Sequence, residues 1–188
     1  MKIYLATTNK VKMLTATKAL SMHGIDLEML TLDYEVPEIQ SFSVEEIAKF
    51  SAKFVADKEN KPVLVTDAGF FIGSLNGFPG PFMKQMNHYL SSQDLLNLMK
   101  DKTDRKLQIV DCLAFCEPRK EPVTFVSKIN GVISKKSEGK GTSIGNIMIL
   151  EGLEKVEALY TPKEMTDYYE EKLDSYRQFS SYYLEHLK

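Results

Sequence analysis

The sequence contains few cysteines, and they form no pattern that would bind a metal or build a disulfide framework. Only Cys112 and Cys116 occur in the 188 residues, and both lie in the largely apolar run 107–116. A CxxC or histidine-bearing metal pattern is absent. The three histidines are scattered without ligand-like spacing. We therefore expect reduced, buried thiols and assign no histidine to catalysis.

Long apolar runs and an excess of one charge are also absent. No run approaches the roughly 18 apolar residues that a membrane-spanning helix needs, and the apolar stretch 3–6 is too short for a signal peptide. The 24 Lys and Arg residues nearly balance the 26 Asp and Glu residues, which leaves a formal charge of -2 with no long run of either sign. A membrane or a nucleic-acid polymer is thus a poor partner. We expect a cytoplasmic protein that binds a small molecule.

The hydrophobic content of 43% is enough for one sizeable core, and no repeat or linker-like stretch divides the chain. Helical and strand patterns alternate early and strands cluster later, which favours an α/β fold with a mixed sheet. We predict one two-lobed domain over residues 1–188, with a flexible loop at 137–145. Strands are predicted at 3–6, 27–32, 63–66, 107–115 and 123–133, and helices at 11–20, 43–57, 81–90, 92–100 and 162–188.

The first candidate site is the polar turn 7–12, where the first strand passes into the first helix. The free backbone N–H groups and the dipole of a helix N-terminus attract anions, and the hydroxyl and lysine side chains here suit a phosphate. The glycines of a Walker A loop are missing. Ser, Thr and Asn are also the ordinary N-cap residues, so the turn has a purely structural explanation as well.

Two acidic residues form the second candidate site. Asp67 follows the predicted buried strand 63–66, at the edge where open α/β sheets place their ligand chemistry. Its carboxylate could hold a divalent cation or orient a water molecule, although an acid that caps the next turn is the competing explanation. Glu38 lies in an earlier loop and could share the same cation, or it could be a solvated loop acid.

A glycine and proline turn forms the third candidate site. Residues 76–84 read Asn-Gly-Phe-Pro-Gly-Pro-Phe-Met-Lys. Such a turn lets the backbone approach a ligand closely and brings Lys84 onto the next helix. A tight turn alone would explain the glycines equally well.

Together and in this order, these segments resemble the inosine triphosphate pyrophosphatase (ITPase) family, which splits ITP, dITP and XTP into a monophosphate and pyrophosphate. The similarity is closest over 63–84, which resembles the family signature D-[ST]-G-L…L-x-G-x-P-G-x-[YF]. The turn 7–12 is similar to the phosphate loop T-x-N-x-x-K, and residues 38–40 are similar to the metal segment E-x-Q. Residues 175–177 stand in the place of the family's Ser-His-Arg.

The resemblance implies an ITPase-like (anticodon-like) two-lobed α/β fold with a mixed sheet, a nucleotide cleft between the lobes, and a homodimer. It implies that Glu38 and Asp67 bind Mg²⁺, and that Asp67 and Lys12 are catalytic, with a nucleoside triphosphate as substrate. The substrate-binding residues that it implies are Thr7, Thr8, Asn9, Lys12, Gly69, Lys84, Ser175, Tyr176 and Arg177.

The sequence departs from the family pattern at several positions. A helix lysine of the family corresponds to Ser51, a phosphate-loop glutamate to Thr15, and the histidine of Ser-His-Arg to Tyr176. The base-reading segment G-F-G-[YW]-D-P is replaced at 143–148 by Ser-Ile-Gly-Asn-Ile-Met. These changes concentrate on base recognition and one phosphate contact, whereas the phosphate loop, the Glu38 and Asp67 pair and the Pro-Gly turn are kept. We therefore predict retained metal-assisted phosphate chemistry with an altered or relaxed base preference.

Three other functions fit the same residues. The chain could be a nucleotide-binding or regulatory homologue without turnover, since a shared fold does not determine function. It could hydrolyse modified or pyrimidine triphosphates, as the related septum-inhibition-type proteins do. It could also be a partner-binding domain whose tyrosine-rich C-terminal helix supplies the interface.

Overall fold

The computed structural model describes residues 2–7 and 9–188, which form helices and strands in alternation. The strands are β1 (Ile3–Leu5), β2 (Leu27–Met29), β3 (Val63–Ile72), β4 (Pro79–Gly80), β5 (Lys106–Cys116), β6 (Val123–Ile133) and β7 (Met148–Leu150). The α-helices are α1 (Lys10–Ser21), α2 (Val44–Glu59), α3 (Met83–Tyr89), α4 (Ser92–Leu98), α5 (Pro162–Lys172) and α6 (Ser175–His186). No α-helix within these ranges is long and apolar enough to cross a membrane.

The strands belong to one mixed sheet. Their order is β2-β1-β3-β5-β6-β7, and β4 pairs with β3 outside this path. Strand β1 runs parallel to β2 and to β3, whereas β4 is antiparallel to β3 and β7 is antiparallel to β6. The predicted α/β fold with a mixed sheet is confirmed.

Side-chain caps explain where the first two helices begin. The Asn9 side chain accepts bonds from two backbone N–H groups at the start of α1. The sequence Ser43-Val44-Glu45-Glu46 has the Ser-x-x-Glu spacing that predicts a capping box at the start of α2. In agreement, the Ser43 hydroxyl accepts from the N–H of Glu46. The Glu46 carboxylate accepts from the Ser41 hydroxyl at 2.6 Å. The N–H of Ser43 donates to the Ser41 hydroxyl. Ser41 therefore bridges the Ser43 N–H and the Glu46 carboxylate, which would bond directly in a full capping box.

The chain divides into two compact units. The first consists of residues 1–67, 111–127 and 166–188, and the second of residues 68–110 and 128–165. In the first unit, α1 packs against α6. Phe179 of α6 contacts Phe115 and Phe125, with ring centroids 5.5 and 5.6 Å apart. In the second unit, the Arg105 guanidinium donates to the carbonyls of Met99, Ile133 and Ser134. The single two-lobed domain and its nucleotide cleft stay predictions.

Strand β3 is longer than the sequence pattern indicates. The pattern placed the strand end just before Asp67, but β3 continues to Ile72 and Asp67 lies within it. The extension has a partner, because Phe70 and Phe71 pair with Gly80 and Pro79 of β4. The prediction ended the strand too early because the β-branched run stops at Thr66. Neither β4 nor β7 was predicted.

The segment 137–145 was predicted to be a flexible loop. The structure confirms a loop without helix or strand, and its flexibility stays a prediction. Asn146 forms hydrogen bonds within this segment. The Asn146 Oδ1 atom accepts from the N–H of Gly141 at 2.7 Å, and the N–H of Asn146 donates to the Thr142 carbonyl at 3.1 Å. The Ser92 hydroxyl of α4 donates to the Ser143 carbonyl at 2.8 Å. Loop composition alone does not reveal such side-chain bonds.

Candidate active site

The predicted phosphate loop is built around the cap of α1. Asn9 Oδ1 accepts from the N–H groups of Val11 at 2.9 Å and Lys12 at 3.2 Å. The Thr7 hydroxyl accepts from the N–H of Asn9 at 3.2 Å. The cap therefore satisfies two of the helix N–H groups that the sequence suggested for an anion. Thr8, also predicted to contact substrate, lies outside the described residues.

Lys12 joins this loop to the strand that carries the candidate carboxylate. Its Nζ donates to the carbonyl of Thr66 at 2.9 Å, and the bond is partly buried. Asp67 is the next residue of β3 and is half-buried. The fold thus brings together an ammonium group from α1 and the position of the predicted catalytic acid. Thr15, where the family has a glutamate, is buried on α1.

A second acid, Asp111, belongs to the same cluster and was not singled out from the sequence. It lies on β5 with 5% of its surface exposed, and its Oδ2 accepts from the Ser175 hydroxyl at 3.3 Å. Burial raises the pKa of Asp111 to about 6; the charge of Lys12 and the Ser175 bond oppose this rise, and the charge of Asp67 adds to it. The sequence signal that could have identified Asp111 is an acidic residue inside the apolar run 107–116.

The three predicted residues at 175–177 occupy the first turn of α6 and differ in exposure. Ser175 is fully buried, and its N–H donates to the Ser127 hydroxyl at 2.6 Å. Tyr176 is 3% exposed, and burial raises the pKa of its hydroxyl, with the charge of Asp111 adding to the effect. The Arg177 side chain is 75% exposed and pairs with Asp174. Of these three residues, only Arg177 is exposed to solvent.

Glu38, the second predicted metal ligand, lies in the loop between β2 and α2. It is exposed, and it forms no hydrogen bond or ion pair with residues 2–7 and 9–188. Its carboxylate is thus available to a ligand. Its pairing with Asp67 at one cation stays a prediction.

Helix α2 shows what stands in place of the missing family lysine. Ser51 is buried at 7% exposure. The two neighbouring lysines are engaged elsewhere: Lys49 pairs with Glu45 at 2.8 Å, and Lys53 donates to the Lys120 carbonyl at 3.1 Å. Both also line a depression of about 670 Å³ beside Phe50 and Phe54. Both ammonium groups are thus paired with other surface groups.

The remaining predicted site residues belong to the second unit. Gly69 is buried within β3, and Lys84 is exposed in the first turn of α3. Asn146 stands where the family has a stacking ring, and its side chain is used to hold its own loop. Ile147, where the family has an acid, is fully buried. Neither Asn146 nor Ile147 therefore supplies the aromatic ring or the acid with which the family recognises the base.

The donors around Asp67 are compatible with Mg²⁺. No group of three His, Cys, Asp or Glu side chains is placed to hold a metal, as far as the structure describes the chain. Mg²⁺ does not need one, since it keeps several waters and binds proteins through one or two carboxylates. Asp67 supplies such an oxygen donor, and its charge acts on the buried carboxyl of Asp111.

Comparison with known proteins agrees with this fold. Residues 3–170 match the profile of the Ham1 family. A Methanopyrus kandleri protein named dITP/XTP pyrophosphatase is 39% identical over 153 residues, which cover 81% of this chain and 80% of that protein. A Tuber melanosporum protein named inosine triphosphate pyrophosphatase is 35% identical over 132 residues, 70% of each chain.

The same fold occurs in solved structures. The structure of a HAM1 protein from Coxiella burnetii matches with a TM-score of 0.80 at 21% identity, covering 98% of this chain and 99% of that one. The fold is therefore the mixed α/β fold of the HAM1 structures. The chain belongs to the Ham1 family, which confirms the resemblance to the inosine triphosphate pyrophosphatases.

Proposed function

We propose that this chain is a nucleoside-triphosphate diphosphatase that hydrolyses non-standard purine triphosphates such as ITP, dITP and XTP to the monophosphate and pyrophosphate. The observation that carries the proposal is the bond from Lys12 Nζ to the Thr66 carbonyl, which places an ammonium group beside the strand position of Asp67. The relatives named dITP/XTP pyrophosphatase and inosine triphosphate pyrophosphatase support this substrate class.

The residues of the first unit divide the chemistry between them. Lys12 offsets the negative charge of the phosphates, and Asn9 holds the loop that presents it. Asp67 orients a water molecule for in-line attack on the α-phosphorus, and pyrophosphate leaves. Mg²⁺ held by Asp67 and Glu38 would add positive charge against the phosphate oxygens. No covalent intermediate with the protein is needed.

Base recognition is proposed to differ from the family pattern. Arg177 is exposed and supplies a planar donor group at the start of α6. Ser175 and Tyr176 contribute from buried positions, and Gly69 and Lys84 are further proposed substrate contacts. Since Asn146 and Ile147 replace a ring and an acid with a loop bond and a core side chain, we expect weaker discrimination between bases.

We also propose that the protein acts in the cytoplasm as a homodimer, with no nucleic-acid polymer or membrane as partner. The balanced charge of the chain and its expected small-molecule substrate argue against a nucleic-acid polymer or a membrane as partner.

A nucleotide-binding protein without turnover is the second candidate. It is favoured by one observation, the burial of Ser51 where the family has a lysine, with Lys49 and Lys53 engaged in other bonds. Such a protein would bind a triphosphate and release no pyrophosphate.

The two candidates are separated by a pyrophosphate assay with Mg²⁺ and a panel of ITP, dITP, XTP and the standard triphosphates. We expect release that disappears in Asp67→Asn and persists in Asp57→Asn, an exposed α2 carboxylate that pairs with Lys53. Binding of ITP without release would support the second candidate. A preference for pyrimidine triphosphates would contradict the purine assignment.

A further inference from the structure

Asp111 is an ionisable residue in a strand segment that is otherwise apolar. The five residues after it on β5, from Cys112 to Cys116, are all buried and apolar. Asp111 itself is 5% exposed and accepts one hydrogen bond from the Ser175 hydroxyl. Carboxylates are rarely buried to this extent unless they are paired.

Stability does not account for a carboxylate at this position. Removing a charge from water costs several kcal/mol, and a hydroxyl donor returns only part of that cost. An apolar side chain would fit the same strand without the penalty. Perturbed buried acids of this kind concentrate at functional sites.

The surroundings of Asp111 indicate what it could do. Through Ser175 it contacts the first turn of α6, and the N–H of Ser175 is fixed in turn by the Ser127 hydroxyl of β6. Its charge also acts on Lys12 of α1 and on Asp67 of β3. Asp111 is therefore connected to both helix ends that are proposed to bind the nucleotide, and all of these residues lie in the first unit.

We propose that Asp111 is a positioning residue that fixes the Lys12 ammonium and the first turn of α6 relative to each other, so that phosphate and base are held together. The inference rests on the proposed function. The Thr66 carbonyl holds the Lys12 ammonium at β3, where the negative charge of Asp111 would attract it. The bond from Ser175 to Asp111 sets the start of the helix that carries Arg177. Asp111 need not touch the substrate.

The two interactions can be removed separately. Asp111→Asn removes the charge but keeps an oxygen that can accept from Ser175, whereas Ser175→Ala removes the hydrogen bond and keeps the charge. Ser180→Ala is the matched control, because Ser180 is an equally buried serine of α6 whose hydroxyl donates only to the Tyr176 carbonyl at 2.8 Å. Urea denaturation of each variant identifies effects that come from unfolding.

Steady-state kinetics with Mg²⁺ and ITP give the decisive readout. We expect Asp111→Asn to raise KM about tenfold and to change kcat less than about threefold, because it weakens substrate binding more than chemistry. Ser175→Ala should raise KM in the same direction, and Ser180→Ala should leave both constants unchanged. An unchanged KM in Asp111→Asn, or a loss of activity that only follows the fraction unfolded, would overturn the inference.

A double-mutant cycle tests whether Asp111 acts through Lys12. In a Lys12→Met background, Asp111→Asn should change KM less than about twofold, since coupled residues are not additive. Full additivity of the two changes would contradict a shared role.

Failure of the proposed function is distinguishable from failure of this inference. If the wild-type protein releases no pyrophosphate, the proposed function fails, and the same cycle is measured on the Kd for ITP by calorimetry. The same pattern in Kd would still support the positioning role. If the wild-type protein binds no ITP, both the proposed function and the positioning role of Asp111 are contradicted.

Discussion

Lys12 is the side chain whose loss we expect to reduce activity most. Its ammonium group is held at the Thr66 carbonyl, next to Asp67, where the negative charge of a triphosphate would lie. Lys12→Met should lower kcat/KM for ITP by roughly 100-fold, the size seen when one charge-stabilising donor is removed from an active site.

The controls for this change are Lys49→Met and Lys53→Met on α2. Both ammonium groups are bound to Glu45 or to the carbonyl of Lys120. Their loss should leave kcat/KM within about threefold of wild type, as expected for exposed ion pairs. If either α2 variant lost as much activity as Lys12→Met, that lysine would be replacing the one missing at Ser51.

Asp111 should make the stability of the substrate-free protein depend on pH. Because burial raises its pKa to about 6 in the folded state, the folded protein holds a proton that the unfolded chain has already released. Stability must therefore fall as the pH rises from the ordinary aspartate pKa towards about 6. Asp111→Asn cannot ionise and should lack this dependence.

Urea denaturation at two pH values measures the difference. Between about pH 4.5 and about pH 7.5 the free energy of unfolding of the wild-type protein should drop by about 2 kcal/mol relative to Asp111→Asn. The measurement is made in EDTA so that no cation screens the site. Parallel pH profiles for the two proteins would show that Asp111 does not titrate abnormally.

Asp111 and Asp67 show which single site residues can be predicted from the sequence alone and which cannot. Asp67 was identified because it follows a β-branched run at a place where α/β sheets bind ligands. Asp111 was not predicted as a site residue because it stands inside the apolar run 107–116, which indicates a buried strand. Its partner Ser175 is 64 positions away in the sequence, and no local pattern predicts such a bond.

Asn9 caps α1, and we propose that it also holds the phosphate loop for the substrate. Asn9→Ala should destabilise the protein by about 1 kcal/mol through loss of the N-cap. Ser43→Ala removes the corresponding cap of α2 and should have a similar effect on stability. Only Asn9→Ala should also lower kcat/KM for ITP. Equal activity in the two variants would mean that Asn9 only caps the helix.

Regular elements were easier to predict than short or extended ones. The N-caps and apolar spacing of α1 and α2 are local signals, and both helices lie where the sequence places them. Strand β3 was cut short at Asp67 because the sequence does not show that Phe70 and Phe71 would pair with β4. The three residues of β7 carry too little pattern to be recognised without their partner, β6.

The molecule as a whole agrees with the predicted mixed α/β fold and with the Ham1 family. The alternation of helical and strand hydrophobic patterns was enough to predict the fold class, because it indicates which faces of the helices and strands must be buried. The candidate site was predictable only through several weak motifs in a fixed order. Each motif alone, such as the turn at 7–12, had an ordinary structural explanation, and for Asn9 that explanation is also correct.

Hydrolysis of ITP in ¹⁸O-labelled water tests most directly whether this protein is a nucleoside-triphosphate diphosphatase that works by water attack on the α-phosphorus. The products are separated, and the label is located by mass spectrometry. We predict one ¹⁸O atom in the monophosphate and none in pyrophosphate, with no labelled product in Asp67→Asn. Label in pyrophosphate or orthophosphate, or no hydrolysis of ITP, dITP or XTP, would contradict the assignment.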